Sequence, residues 1–229
     1  MTHANFTFPA IAVLCALSAC SQLPPPAAPQ SAPAVAAPAT AVPPAPLPAD
    51  AGPLLHIDSA HSLIAVTVRR GGILARLGHD HVVASHAITG TVSPARNVAD
   101  FQFRLDQMTI DEADLRQIAG LEKQPSADAI EGTRHNMLTK VLDAERYPLV
   151  TVHAERIAAG QPLRVAITLH GVTRTLDIPV ELHEEDGAIN VKGTVVLKQT
   201  DFGLTPFSVM GGAMAVLDQM ELRFDLSAR

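Results

Sequence analysis

Between Leu54 and Arg229 the apolar residues fall on every second position, in one stretch after another. Ile64, Val66 and Val68 alternate with Ala65 and Thr67, and Phe101, Phe103 and Leu105 with Gln102, Arg104 and Asp106. The pattern returns at Val150, Val152 and Ala154, at Leu163, Val165, Ile167 and Leu169, and at Leu176, Ile178, Val180 and Leu182. It recurs at Val191, Val195 and Leu197, and again at Met220, Leu222, Phe224 and Leu226. Successive side chains of a strand point to opposite faces, so each stretch makes a strand with one dry and one wet face. Parallel strands covered on both sides read instead as continuous apolar runs, so the pattern predicts antiparallel pairing. Short Gly-, Asp- and Asn-containing turns such as EEDGAIN (Glu184–Asn190) join the stretches, which leaves a sandwich or a barrel. Several stretches are long for a small sandwich, and closure removes exposed edges, so a barrel is the expectation.

The period breaks between Asp111 and Asp143. Ile130, Met137, Leu138 and Val141 have helical spacing, Ser126 is placed as an N-cap and Pro148 follows, which predicts a helix over Ala127–Leu142. IDEADLRQIAG (Ile110–Gly120) has room for a shorter one. The fold class expected is therefore all-β with a helical insertion, the insertion closing a mouth or a wall.

A different regime precedes this domain. Twelve of the 18 prolines lie before Leu54, and Asp50 is the one formally charged residue there. FPAIAVLCALSA (Phe8–Ala19) has the length of a signal-peptide core and is too short for a stable membrane span. LSAC (Leu17–Cys20) resembles the bacterial lipoprotein processing motif, in which Cys20 carries a diacylglyceryl group; an ordinary leader cleaved by a general peptidase is the alternative. Ser21 after the cysteine points, by analogy with bacterial lipoproteins, to the outer membrane. The tract that follows to Pro53 is rich in Pro and Ala, cannot bury a core and favours extended polyproline structure, with a reach of as much as ~100 Å. The organisation read from the sequence is a leader over 1–19, a lipidated cysteine and linker over 20–53 and a folded domain over 54–229, in a periplasmic protein anchored to a membrane.

The two cysteines fall in the leader and at position 20, so the domain has no disulfide framework, thiol nucleophile or cysteine zinc site. A net charge of −6 with no Lys/Arg-rich run offers no footprint for nucleic acid. No G-x-S-x-G elbow, H-E-x-x-H motif or phosphate-cradling glycine loop is present, which argues against an enzyme. RRGG (Arg69–Gly72) reads as a turn, and Gly211 and Gly212 read as a turn before the last strand. The conspicuous chemistry is ARLGHDHVVASH (Ala75–His86). On an extended strand His79 and His81 share a face, and His86, or His61 or His135, is a candidate third ligand for a metal or haem. Contact with a ligand headgroup by His79, Asp80, His81 and Arg134 is the competing reading, and a structural role for the imidazoles is the third. Arg134 also has Asp80 as a candidate partner.

The blocks HIDSAHSLIAVTVRR (His56–Arg70), RYPLVTVHAERI (Arg146–Ile157), ITLHGVTRTLDIPVEL (Ile167–Leu182) and KQTDFGLTPFSVMGGAMAVLDQMELRFDL (Lys198–Leu226) cover nearly the whole domain. In their order they resemble the YceI-like family of lipid- and polyisoprenoid-binding proteins; LHGVTR (Leu169–Arg174) is the most specific of them. The resemblance implies an eight-stranded, lipocalin-like antiparallel barrel around an apolar tunnel that takes an isoprenoid lipid or quinone, with no other cofactor. The inward residues of the alternating strands are then the expected lining: Ile64, Val66, Phe101, Phe103, Val152, Ile167, Leu169, Ile178 and Phe224. Where many relatives carry an aromatic and a lone histidine, this chain has ILARLGHDHVV (Ile73–Val83).

Overall fold

Thirteen strands and two α-helices are found among the described residues, 52–229, of the computed structural model. The leader, Cys20 and all but the last two residues of the Pro/Ala tract lie outside the described residues. In chain order the elements are β1 (Leu55–His56), β2 (Leu63–Gly71), β3 (His81–Ser85), β4 (Thr89–Ser93), β5 (Val98–Arg104), β6 (Thr109–Ile110), α1 (Ala113–Ile118) and α2 (Ala127–Asn136). They continue with β7 (Leu149–Glu155), β8 (Leu163–Leu169), β9 (Val172–Ile178), β10 (Glu181–Glu185), β11 (Ala188–Lys198), β12 (Ser208–Val209) and β13 (Met214–Ala228).

The expected eight-stranded barrel is corrected to two antiparallel sheets. One has the order β1-β4-β5-β7-β8-β9; the other runs β10-β11-β13-β2-β3-β6, with β12 paired to β13. The physical reason is visible where the chain changes sheets. The stretch read as one strand over Leu176–Leu182 breaks at Pro179 and Val180: β9 ends one sheet at Ile178, and β10 begins the other at Glu181. Proline has no N–H to give to a ladder, so the chain bends there. A 3₁₀ turn over Leu105–Gln107 carries β5 into β6 in the same way. At the opposite margin Ile57 bridges Ala228, and His56 and Arg229 exchange backbone hydrogen bonds of 2.9 and 3.0 Å.

The inward faces supply the main core, which includes Ile64, Val83, Phe103, Val150, Val152, Ile167 and Phe202. A second, smaller core lies on the outer face of β2 and β3, where Ala65, Val82 and Ala84 are covered by Leu115 and Leu121 around α1. All five residues of β3 are buried in consequence, and the strand shows no alternation in the sequence. RRGG corrects in part: Arg69, Arg70 and Gly71 finish β2, and only Gly72, at φ 85°, is in the turn.

Ser126 caps α2 as its position predicts, its Oγ accepting from the Ala129 N–H at 3.3 Å. The helix expected to reach Leu142 is α-helical only to Asn136. Over Met137–Val141 it widens into a π turn, closed by the Leu142 N–H donating to the Met137 carbonyl at 2.9 Å. This turn packs Met137, Leu138 and Leu142 against the main core.

Candidate functional site

The two sheets do not close on each other through their whole length. One cavity between them measures about 330 Å³, and a smaller one, of about 120 Å³, adjoins it. They share Phe103, Val150, Ile167 and Leu222, so these four side chains form the partition between them. Val66 and Leu169 line the larger cavity, Ile64, Phe101, Val152, Ile178 and Phe224 line the smaller, and Phe103 and Ile167 face both. Every inward residue named from the alternation therefore borders one space or the other. The larger volume is in the range of roughly 300–1,000 Å³ usual for small-molecule sites. Apolar voids of about 150 Å³ stay dry and take up apolar molecules.

The polar residues that line the larger cavity are Arg70, His79, His81, Thr133, Asn136 and Gln199, and His79, His81 and Thr133 form one cluster among them. It is built from β3 outward. His81 opens the strand, and its Nδ1 donates to Asp111 Oδ2 at 2.6 Å. Asp111 occupies the turn between β6 and α1 at φ 58°, a left-handed conformation that aspartate tolerates better than most residues. Its carboxylate also accepts from the Val82 N–H at 3.1 Å and from Arg116 Nη1 at 2.5 Å. Arg116, on α1, is itself buried and donates further to the carbonyls of Asp80, at 2.8 Å, and Lys123. Burial alone pushes the Asp111 carboxyl up. The hydrogen bonds from His81 and Val82 and the positive charge beside it outweigh burial and hold it below the ordinary carboxylate value.

With Nδ1 committed to Asp111, the other ring nitrogen of His81 faces the cavity. Nε2 lies 3.2 Å from Thr133 Oγ1, whose hydroxyl donates back along α2 to the Ala129 carbonyl at 2.8 Å. The His79 ring stands 5.9 Å from that of His81, centroid to centroid. Desolvation, followed by the charges of His81, Lys123, Arg70 and Arg116, pushes the His79 imidazole below its ordinary value, which favours the neutral ring. His81 and Thr133 are thus hydrogen-bonding groups held in fixed orientation in the wall of a mostly apolar space.

Three of the sequence assignments change. Arg134 lines neither cavity and does not meet Asp80: its guanidinium donates to the backbone carbonyls of Met108, at 2.6 Å, and Asp106, tying α2 to the turn after β5. Asp80 lines neither cavity; its Oδ1 accepts from the Arg70 N–H at 2.8 Å, and its carbonyl is held by Arg116. The third histidine of the cluster is elsewhere: His86 Nε2 pairs with Glu112 at 3.0 Å, and His61 with Asp58 at 2.9 Å. Among the described residues no three His, Cys, Asp or Glu side chains converge as a metal would require. Sequence reasoning missed Asp111, Arg116, Thr133, Asn136 and Gln199. Each is a single polar residue without a spacing motif, and the one trace was that Asp111 stands where the period of two stops.

Residues 55–228 match the family model described as the YceI-like domain. No curated protein matches the chain. Among solved structures, a polyisoprenoid binding domain from Saccharophagus degradans implicated in plant cell wall breakdown aligns with a TM-score of 0.54 at 14% identity, over 76% of this chain and 97% of that one. BcnA from Burkholderia cenocepacia aligns with a TM-score of 0.52 at 14% identity, over 76% and 99% of the respective chains. At such identity the likeness is one of fold.

Proposed function

The chain belongs to the YceI-like domain family, and from that premise we propose that it binds a long-chain isoprenoid lipid or a similar amphiphile between its two sheets, as a carrier or sequestering protein and not as a catalyst. The observation that carries this reading is the pair of adjoining, mostly apolar cavities, the larger with the His79–His81–Thr133 cluster in its wall. The tail would lie along the larger cavity and pass the Phe103–Leu222 partition into the smaller one. The headgroup would stay with His79, His81, Thr133 and Asn136. The description of the Saccharophagus degradans structure as a polyisoprenoid binding domain supports the same ligand class.

The energetics favour a long tail. Each buried methylene contributes about 0.8 kcal/mol, and association costs on the order of 4–15 kcal/mol, so roughly ten or more carbons are needed before burial alone gives useful affinity. A second cavity behind the first supplies that length. The apolar run over Phe8–Ala19 and Cys20 support export and a lipid anchor, with the Pro/Ala tract as spacer, at the periplasmic face of a membrane and, from Ser21, the outer one. Native mass spectrometry with lipid extraction, on protein purified without detergent from a bacterial host, tests the binding. A bound amphiphile of defined mass is expected; protein that repeatedly emerges empty, and takes up none of a series of isoprenoid alcohols, overturns the proposal.

A further inference from the structure

Nine large apolar side chains are exposed among the described residues, and five of them belong to two neighbouring segments, the loop after β2 and the stretch from β12 into the start of β13: Ile73 (89% exposed), Leu77 (60%), Val209, Met210 (69%) and Leu217. The segments are joined. The Leu74 N–H donates to the Ala213 carbonyl at 2.8 Å, β12 pairs with the start of β13, and Leu217 packs so closely on Gly71 that a Cβ there would lie 2.6 Å from it. Scattered apolar residues on a surface need no explanation, but a cluster of this kind marks a contact.

Its position says with what. Of the residues that line the larger cavity, the exposed ones are Arg70, Leu77 and Val209, so the cavity reaches the surface between these two segments. Beside them the π turn contributes Val141, and Lys140 stands 5.7 Å from the Phe207 ring on the same wall. The segments that frame the opening, 70–78, 136–142 and 207–217, carry Arg76 and Lys140 beside Arg70, which is paired with Asp80 at 3.8 Å, and have no acidic residue of their own before Asp143 and Asp218 at their ends, in a chain whose net charge is −6. An apolar tip flanked by Arg76 and Lys140 on an otherwise acidic protein is complementary to one surface in particular, the headgroup region of an anionic bilayer.

We infer that the segments 71–78 and 208–217 dock the mouth of the cavity onto an anionic lipid bilayer, inserting Ile73, Leu77 and Met210 among the lipids so that a tail passes between membrane and cavity without crossing water. The inference rests on the lipid-binding reading above for its purpose, but it makes a claim about a surface and is tested separately. Each methylene of a tail drawn through water is exposed at a cost in free energy, and a mouth sealed on the bilayer removes that barrier. The attraction of each basic residue falls off within a Debye length of the surface, so docking weakens as salt rises.

The full chain has no tryptophan, which allows a local reporter. Ile73→Trp is compared with Ile157→Trp, an exposed position in the loop after β7, beyond the smaller-cavity end of that strand. With vesicles of phosphatidylglycerol and phosphatidylcholine, the indole at position 73 is expected to shift to the blue and to be quenched by brominated acyl chains, while that at 157 is unchanged. Comparing the two positions separates docking by the mouth from any attachment by the N-terminal segment. Equal quenching at both positions, or none at 73, overturns the inference. A blue shift at 73 that grows with protein concentration and needs no vesicles also overturns it, and assigns the patch to a second copy of the chain. Ile73→Asp/Met210→Asp, two side chains that line neither cavity, is expected to reduce vesicle-dependent transfer of farnesol at least tenfold and to leave farnesol binding in vesicle-free buffer within twofold. A variant that transfers as fast as the parent refutes docking. If neither protein binds farnesol in buffer, the lipid-binding reading fails, and the quenching result still decides the docking surface.

Discussion

Replacing Asp111 by asparagine tests whether the buried carboxylate organises the polar cluster in the cavity wall. The two carboxylate oxygens accept from His81 Nδ1, Arg116 Nη1 and the Val82 N–H, and the carboxylate has no exposed surface. In Asp111→Asn the amide oxygen can retain Arg116 and Val82, but the amide NH₂ then points a donor at a donor. The imidazole answers by changing tautomer, accepting at Nδ1 and turning an Nε2–H toward the cavity. More costly is the loss of charge: Arg116, 4% exposed, is left without its counter-ion. Breaking a buried pair from one side costs about 3–5 kcal/mol, which for a domain of this size lowers Tm by roughly 6–20 °C. Urea and thermal unfolding followed by circular dichroism measure it. Removing both partners, in Asp111→Asn/Arg116→Met, is expected to cost less than Asp111→Asn alone. The dependence on pH gives an independent sign. The folded carboxyl titrates below its ordinary value of 3.8, so its contribution is complete above that pH and is lost as pH falls through the folded value. The stability gap between parent and variant should therefore shrink below about pH 4. A variant that loses under about 1 kcal/mol, or a double variant in which the two losses simply add, refutes the reasoning.

Leu222→Trp, at the partition between the cavities, is expected to block the tail: the bound amphiphile disappears from native mass spectra, while overpacking costs about 1–3 kcal/mol in urea unfolding. His153 is raised above its ordinary 6.5 by hydrogen bonds to Asp100, at 2.7 Å, and Glu155, at 3.3 Å. Its stabilisation is thus complete below pH 6.5 and lost as pH rises through the folded value, so the urea midpoint of His153→Gln should fall below the parent's at pH 5.5 and converge with it at pH 9. Gly90→Ala places a Cβ 2.2 Å from the Asp100 carbonyl oxygen on the paired strand; since backbone on both sides must move, failure to accumulate as soluble folded protein is expected, and a Tm within a few degrees of the parent's would contradict the close approach of β4 and β5. Metabolic labelling with radioactive palmitate should mark the parent and not Cys20→Ser; an unlabelled parent removes the lipid anchor.

Strand residues that separate a wet face from a dry one announce themselves, because their chemistry repeats with the geometry of the pleat. Val150, Val152 and Ala154 face inward and are buried, while Thr151 between them is exposed, as the alternation requires. Six of the seven alternating stretches, the Ser126 cap and the apolar lining of the cavities were legible in the sequence. β3 was not, since α1 covers its outer face and removes the contrast on which the reading depends. The number of sheets escaped as well: Pro179 was visible inside an alternating run, but that the chain there leaves one sheet for another depends on which strands lie beside it.

The histidine cluster shows the division most sharply. The sequence by itself determined an antiparallel β domain, its inward faces, and two imidazoles two residues apart. Only the tertiary structure decided that His81 is backed by Asp111, thirty residues away, that Thr133 of the helix meets its other nitrogen, and that His86 is paired with Glu112. Periodicity is a property of neighbours along the chain, and a polar site assembled from β3, the β6–α1 turn and α2 is a property of neighbours in space, to which no spacing in the sequence corresponds.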